Sequence, residues 1–256
     1  MADAIQPAVP GDLGSLPDRK LIAPLWHTIL FVLIILGISA GSYFVTRRFV
    51  AGLHAGAQSE SARLLTYVAT LVQEWLLFLY VYAGMRARGG TIRERIHARW
   101  ASGRDVWRDI GIAAVVWAIL LVLEGVSSVI FRSTGGAGAK VVQQLVPHSA
   151  LELPVWALLS ISAGFCEEFI FRGYLQEQLR RLTGSVGMAV AIQALVFGLG
   201  HGYQGWALMV TIFFLGLVFG ITAALRKSLA PTMIAHGWTD FASGSAGYIL
   251  HALHRI

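Results

Sequence analysis

The feature that most constrains this chain is a series of apolar runs, most of them about 20 residues long, separated by short basic or polar breaks. A run of that length crosses the hydrocarbon of a bilayer as a helix. Only a helix or a closed barrel satisfies the backbone there, and none of the runs alternates as a barrel strand does. Spans are expected at 24–45, 64–85, 110–131, 153–182, 186–199, 206–225 and 229–250. The predicted fold is all-α, a polytopic transmembrane helix bundle with about seven spans, six to eight being compatible with the pattern. Breaks fall at Ser133-Thr134-Gly135-Gly136, at Thr183-Gly184-Ser185 and at Arg226-Lys227-Ser228. Composition agrees: 56% of residues are hydrophobic and 13% charged, which sets aside an ordinary soluble or disordered chain. Cys166 is the one cysteine, so no internal disulfide can form.

The net charge of +6 is concentrated between the apolar runs, the pattern of membrane topology rather than of nucleic-acid binding. Residues 86–108 carry Arg86, Arg88, Arg93, Arg95, Arg99, Arg104 and Arg108 against two acids, Glu94 and Asp105, which predicts a cytoplasmic loop. Alternation then places the N-terminus, Arg180, Arg181, Arg226 and Lys227 on the same side and residues 132–150 on the other. Membrane lipids are expected partners, and anionic-lipid contact accounts for the arginine-rich loop. Residues 1–22, with Pro7, Pro10 and Pro17, read as a flexible, uncleaved tail preceding a single transmembrane domain at 23–256. No internal repeat is present.

Ionisable side chains in apolar spans are costly, about 2.5–3.5 kcal/mol for an acid on insertion scales, and those that persist usually face a bundle interior. They cluster here in Gly164-Phe165-Cys166-Glu167-Glu168-Phe169-Ile170-Phe171-Arg172, in Phe197-Gly198-Leu199-Gly200-His201 and in His236-Gly237-Trp238-Thr239-Asp240. Glu168 and Arg172 stand four apart, acid first, as an ion pair prefers, whereas Glu167 is rotated about 100° away and left free. His236 and Asp240 share a helix face, as do Phe197 and His201. If 153–182 and 186–199 form a hairpin at Gly184, Glu167 and His201 both lie about 25 Å from the turn and can stand side by side. His236 lies about 13 Å beyond the turn at Lys227-Ser228, which matches if residues 172–184 protrude into the cytoplasm. These segments make 150–250 the candidate catalytic core.

This ordered set, E-E-x-x-x-R, then F-x-x-x-H, then H-x-x-x-D, resembles the family of CAAX-processing and bacteriocin-processing intramembrane proteases, over roughly residues 160–245. The resemblance implies an endopeptidase similar to the type II CAAX prenyl proteases, acting on a peptide or lipidated protein near the cytoplasmic face of a bacterial inner membrane. It implies that Glu167 and His201 activate water, that His236 and Asp240 hold the oxyanion, and that Glu168, Arg172 and Phe197 support them. A carboxylate in a partly desolvated pocket suits a general base, and donors aimed at the intermediate usually contribute most to the rate. The CAAX enzymes commonly carry asparagine where this chain has Asp240. An ionised aspartate cannot donate to an oxyanion, so Asp240 is protonated, or orients His236, or binds a cation.

No cofactor is expected. Zinc is the alternative, because Glu167, His201, His236 and Asp240 are residue types it accepts, although an H-E-x-x-H helix is lacking. Cys166 beside Glu167 is read as a small packing residue rather than a nucleophile. A non-enzymatic scaffold, immunity protein or transporter would use the same polar cluster for packing or proton relay, and the single acids Glu74 and Glu124 in the second and third spans fit that view.

Overall fold

The computed structural model describes residues 20–52, 59–96, 100–132 and 143–253. Most of the expected tail, Arg99 and the Ser133–Gly136 break lie outside the described residues.

Helix follows helix: α1 (Leu25–Gly52), α2 (Glu60–Arg86), the short α3 (Ile92–Ile96), α4 (Gly103–Ile130) and α5 (Glu152–Glu168). The last runs without a break through a π-helical stretch, Phe169–Gln176, into α6 (Glu177–Thr183). Then come α7 (Val186–Gly200), one 3-10 turn (Gly202–Gln204), α8 (Trp206–Arg226) and α9 (Ala230–Ala252). No strand occurs among the described residues. The chain is an all-α membrane bundle, and its outer face is apolar: Leu33, Leu76, Val122, Ile161 and Leu225 are exposed, as lipid-facing side chains should be.

The ends of these helices follow local chemistry. Ser59 accepts from the Ala62 amide to cap α2, and Ser185 accepts from that of Met188 to cap α7. Gly184, at φ 73°, ends α6 in the left-handed conformation that glycine adopts freely.

Seven rods correspond to the expected spans, but only five are long and apolar enough to cross a membrane by those criteria among the described residues. The hairpin arm α7 has 15 residues, about 22 Å, short of a full crossing. Helix α9 has 23 residues, but Thr232, His236, Thr239, Asp240 and Ser243 lower its hydropathy. Both shortfalls fall on helices that carry the motif residues.

Residues 172–184, expected to protrude into the cytoplasm, continue α5 as one rod. Arg172, Gln176 and Gln178 are buried, and their polar groups turn inward. Gln178 Oε1 accepts from the amides of Ile22 and Ala23 at 2.9 and 3.3 Å, and its Nε2 donates to the Ala23 carbonyl at 2.9 Å. Gln176 donates to the Gly220 carbonyl at 3.0 Å. A sequence that reads as water-exposed thus turns its polarity to internal partners, which satisfies most of the groups that burial would penalise and leaves Arg172 Nε and Gln176 Oε1 without one.

The same end gathers several chain segments. The Leu229 amide donates to the Ile96 carbonyl at 2.9 Å, Arg95 lies 3.8 Å from Glu177, and Arg226 pairs with buried Asp109 at 2.8 Å. At the opposite end Arg63 of α2 grips buried Glu152 at 2.7 Å, and the His148 amide donates to Glu152 Oε2 at 2.7 Å. Burial pulls the His148 imidazole below its ordinary value, so near neutral pH it is uncharged, stacked on His251 at 4.0 Å between centroids.

Two glycine contacts set the helix spacing that matters most. A side chain at Gly164 would lie 2.7 Å from the Met233 carbonyl and 2.8 Å from the Gly237 amide, so α5 and α9 touch backbone to backbone. A side chain at Gly198 would lie 2.8 Å from the Met209 carbonyl, where α7 meets α8. These approaches admit no β-carbon, the small-residue packing by which helices associate in lipid.

Candidate active site

The crossing at Gly164 and Gly237 brings the acids that follow on α5 against the histidine that precedes on α9. His236 is buried, with its ring stacked on Phe219 of α8 (5.2 Å, 17°) and edge-on to Phe197 of α7 (6.1 Å, 84°). Its Nδ1 lies 2.9 Å from Glu168 Oε1 and donates to that carboxylate, which leaves Nε2 aimed elsewhere. Around Nε2 stand Glu167 Oε2 at 3.8 Å and Asp240 Oδ2 at 3.6 Å. These separations exceed hydrogen bonds but are short enough for one bridging oxygen to be shared among the three groups.

Glu168 does more than the pairing its spacing implies. Its Oε1 accepts from Arg172 at 2.8 Å as well as from His236, and both members of the pair have side chains with no exposed surface. Arg172 in turn donates to the Gly216 carbonyl at 3.3 Å and lies over the rings of Phe197 (4.4 Å) and Phe219 (5.0 Å). A buried ion pair of this kind survives because each charge has several partners. Glu167 Oε2 is also buried with no hydrogen-bond partner, as are Glu168 Oε2 and Arg172 Nε. An unsatisfied buried carboxylate oxygen calls for an explanation, and a reacting group is one.

His201 is fixed by its own helix. It ends α7, its Nδ1 donates to the Phe197 carbonyl at 2.8 Å, and its ring packs on Phe197 at 4.8 Å. Phe197 therefore contacts both imidazoles. Among the described residues no ion-pair contact joins Glu167 to His201; the histidine beside Glu167 is His236. The structure thus gathers Glu167, Glu168, Arg172, His236 and Asp240 directly, with His201 reaching the group through its contact with Phe197.

Several neighbours carry no motif. Glu74, a buried acid of α2, accepts from Ser162 of α5 at 2.8 Å and lies within electrostatic reach of Glu167, Asp240 and His236. Tyr203, in the turn after His201, stacks on it at 6.2 Å. Burial, and then the charges of Glu167, Asp240 and Glu74, push this phenol above its ordinary value against the hydrogen bond from Gln204, so it stays a donor. Trp156 donates to the Asp240 carbonyl at 2.9 Å and steadies that turn of α9. The isolated acid in the second apolar run was the available signal for Glu74; Tyr203 and Trp156 gave none. Glu124 of α4 is half-buried within electrostatic reach of Asp240.

Among the described residues no group of three His, Cys, Asp or Glu side chains is arranged to hold a metal ion. Cys166 is fully buried, its Sγ 3.9 Å from Ser162 Oγ. An apolar cavity of about 930 Å³ flanks the cluster between α4, α5 and α9, lined by Trp117, Phe165, Trp238 and Phe241 among others.

Residues 149–242 match the model of a family described as Type II CAAX prenyl endopeptidase Rce1-like. No curated protein and no solved structure matches the chain.

Proposed function

We propose, from the match of residues 149–242 to the type II CAAX prenyl endopeptidase family model, that this chain is an intramembrane glutamate-type endopeptidase. The observation that carries the proposal is the approach of Glu167 Oε2 and Asp240 Oδ2 to within 3.8 Å of His236 Nε2, with the far side of His236 fixed by Glu168.

In the proposed reaction, water sits among these groups and Glu167 takes one of its protons while the oxygen attacks the scissile carbonyl carbon. His201 assists through Nε2, since Nδ1 is committed to Phe197. The resulting oxyanion is met by His236. Because Nδ1–H already serves Glu168, donation from Nε2 requires the doubly protonated ring, and Glu167, Glu168 and Asp240 supply the surrounding negative charge. The C–N bond then breaks, and the leaving amine receives the proton held on Glu167. Asp240, as an acceptor 3.6 Å from Nε2, orients and balances His236 rather than donating to the oxyanion.

The substrate class is a peptide or lipidated protein, and the apolar cavity beside Phe165 and Trp238 offers room for a hydrocarbon chain. The arginine-rich segments at one end of the bundle support a bacterial inner-membrane location with the N-terminus and that end cytoplasmic.

The test is cleavage of a quenched prenylated CAAX peptide by the purified protein in detergent. Glu167→Gln is expected to lower kcat by about 10²–10⁴ while the protein elutes and melts as wild type. His201→Ala is expected to lose activity as well, and a chelator is expected to leave the wild-type rate unchanged. Full activity in Glu167→Gln would overturn the reading; loss of the wild-type rate to chelator, restored by zinc, would replace it with a metal hydrolase.

A further inference from the structure

A second cavity lies at the arginine-rich end of the bundle, about 630 Å³ in volume, bounded by α3, the π-helical stretch, α6 and the ends of α7, α8 and α9. None of Glu167, His201, His236 or Asp240 lines it, and Arg172 is the one residue it shares with the site above. Its wall contains Arg95, Arg172, Arg180, Arg181 and Lys227 against two acids, Glu94 and Glu177.

The local charges do not balance. Glu177 alone serves Arg180 at 2.7 Å, Arg181 at 2.8 Å and Arg95 at a distant 3.8 Å. Lys227 makes no ion pair among the described residues, and Arg172 is committed to Glu168. Arg95 keeps Nε buried without a partner, and burial pulls its guanidinium below its ordinary value, with Glu177 the main counter-charge. A half-buried guanidinium with an idle, buried Nε donor is a costly arrangement unless an anion completes it. Helices α7 and α9 begin at the cavity, through Val186 and Leu229, and α8 ends there, through Ala223, Ala224 and Lys227.

We propose that this cavity binds the phosphate of an anionic amphiphile, a membrane lipid headgroup, with Arg95 and Lys227 as the principal cations. Guanidinium and ammonium donors suit phosphate oxygens. The apolar half of the ligand has a surface to lie on, because Val186 at the rim and Leu182 and Leu225 beside it are exposed. A free phosphate would use the same cations but gain nothing from that rim.

The test uses the full chain in a neutral detergent, with phosphatidylglycerol, phosphatidylcholine or inorganic phosphate added, and reads ligand retention by native mass spectrometry together with the melting temperature. Phosphatidylglycerol is expected to be retained and to raise the melting temperature, phosphatidylcholine to do neither, and added salt to weaken the effect. Arg95→Gln combined with Lys227→Gln is expected to weaken phosphatidylglycerol binding about 10- to 30-fold. Arg95→Lys should retain most of it, and Lys227→Gln alone should lose several-fold, a decisive comparison if the double variant fails to fold. If inorganic phosphate gives the same variant-sensitive shift, the site holds but its ligand is free phosphate. Equal retention of the two lipids, no retention of either lipid or phosphate, or phosphatidylglycerol binding untouched by the variants would each overturn the proposal. Peptide cleavage enters none of these readouts, so the outcome is independent of the endopeptidase reading.

Discussion

At the scale of single residues, the centre of the polar cluster is Glu168 Oε1, which accepts from both Arg172 and His236. Removing its charge leaves a guanidinium with no exposed surface and no counter-ion, a change that typically costs about 3–5 kcal/mol. Glu168→Gln is therefore expected to melt well below wild type in detergent and to cleave poorly. Glu167→Gln, whose Oε2 has no hydrogen-bond partner to lose, should melt normally. The contrast between the two adjacent acids is the informative measurement, and equal melting temperatures would show that the Arg172 pair does not hold the bundle together. The i, i+4 spacing made that pair legible from the sequence. The sharing of its carboxylate with His236 was not, because a partner 68 positions away depends on how two helices cross.

Among the helical elements, the crossing of α5 and α9 fixes the relation between the acids and His236, and Gly164 permits it. Gly164→Leu would force a side chain into the Met233 carbonyl and the Gly237 amide. The expected result is a loss of about 1–3 kcal/mol, with activity falling further than stability as Glu167 and His236 separate. Thermal melting and the peptide assay on the same sample check it. Helix identities and most boundaries were readable from apolar run length, since α2, α4, α7, α8 and α9 begin and end within a few residues or one to two turns of the predicted spans. What was not readable is how polar residues are used inside a rod. The stretch from Arg172 to Gln178 has the composition of an exposed segment, yet its partners are the Ile22, Ala23, Gly216 and Gly220 backbones, supplied from other parts of the chain. Likewise, the contact of Phe197 with both His201 and His236 depends on how α7 and α9 lie against each other, which spacing along one helix does not give.

For the molecule as a whole, charge is segregated by end. Arg95, Arg180, Arg181, Arg226 and Lys227 collect around the contacts of α3, α6, α8 and α9, while Arg63 and Glu152 close the other end with His148. With the basic end cytoplasmic, Arg88→Cys should react with a membrane-impermeant maleimide only in inverted vesicles and Ala150→Cys only in intact spheroplasts. The reverse pattern would invert the topology. Both positions are exposed. Cys166, the chain's single sulfhydryl, is sealed inside the bundle with no accessible surface. The unaltered protein is therefore already a blank canvas for thiol-directed probes: every engineered site reports alone, and paired spin labels on any two helices could follow their separation during turnover without stripping the parent sequence first.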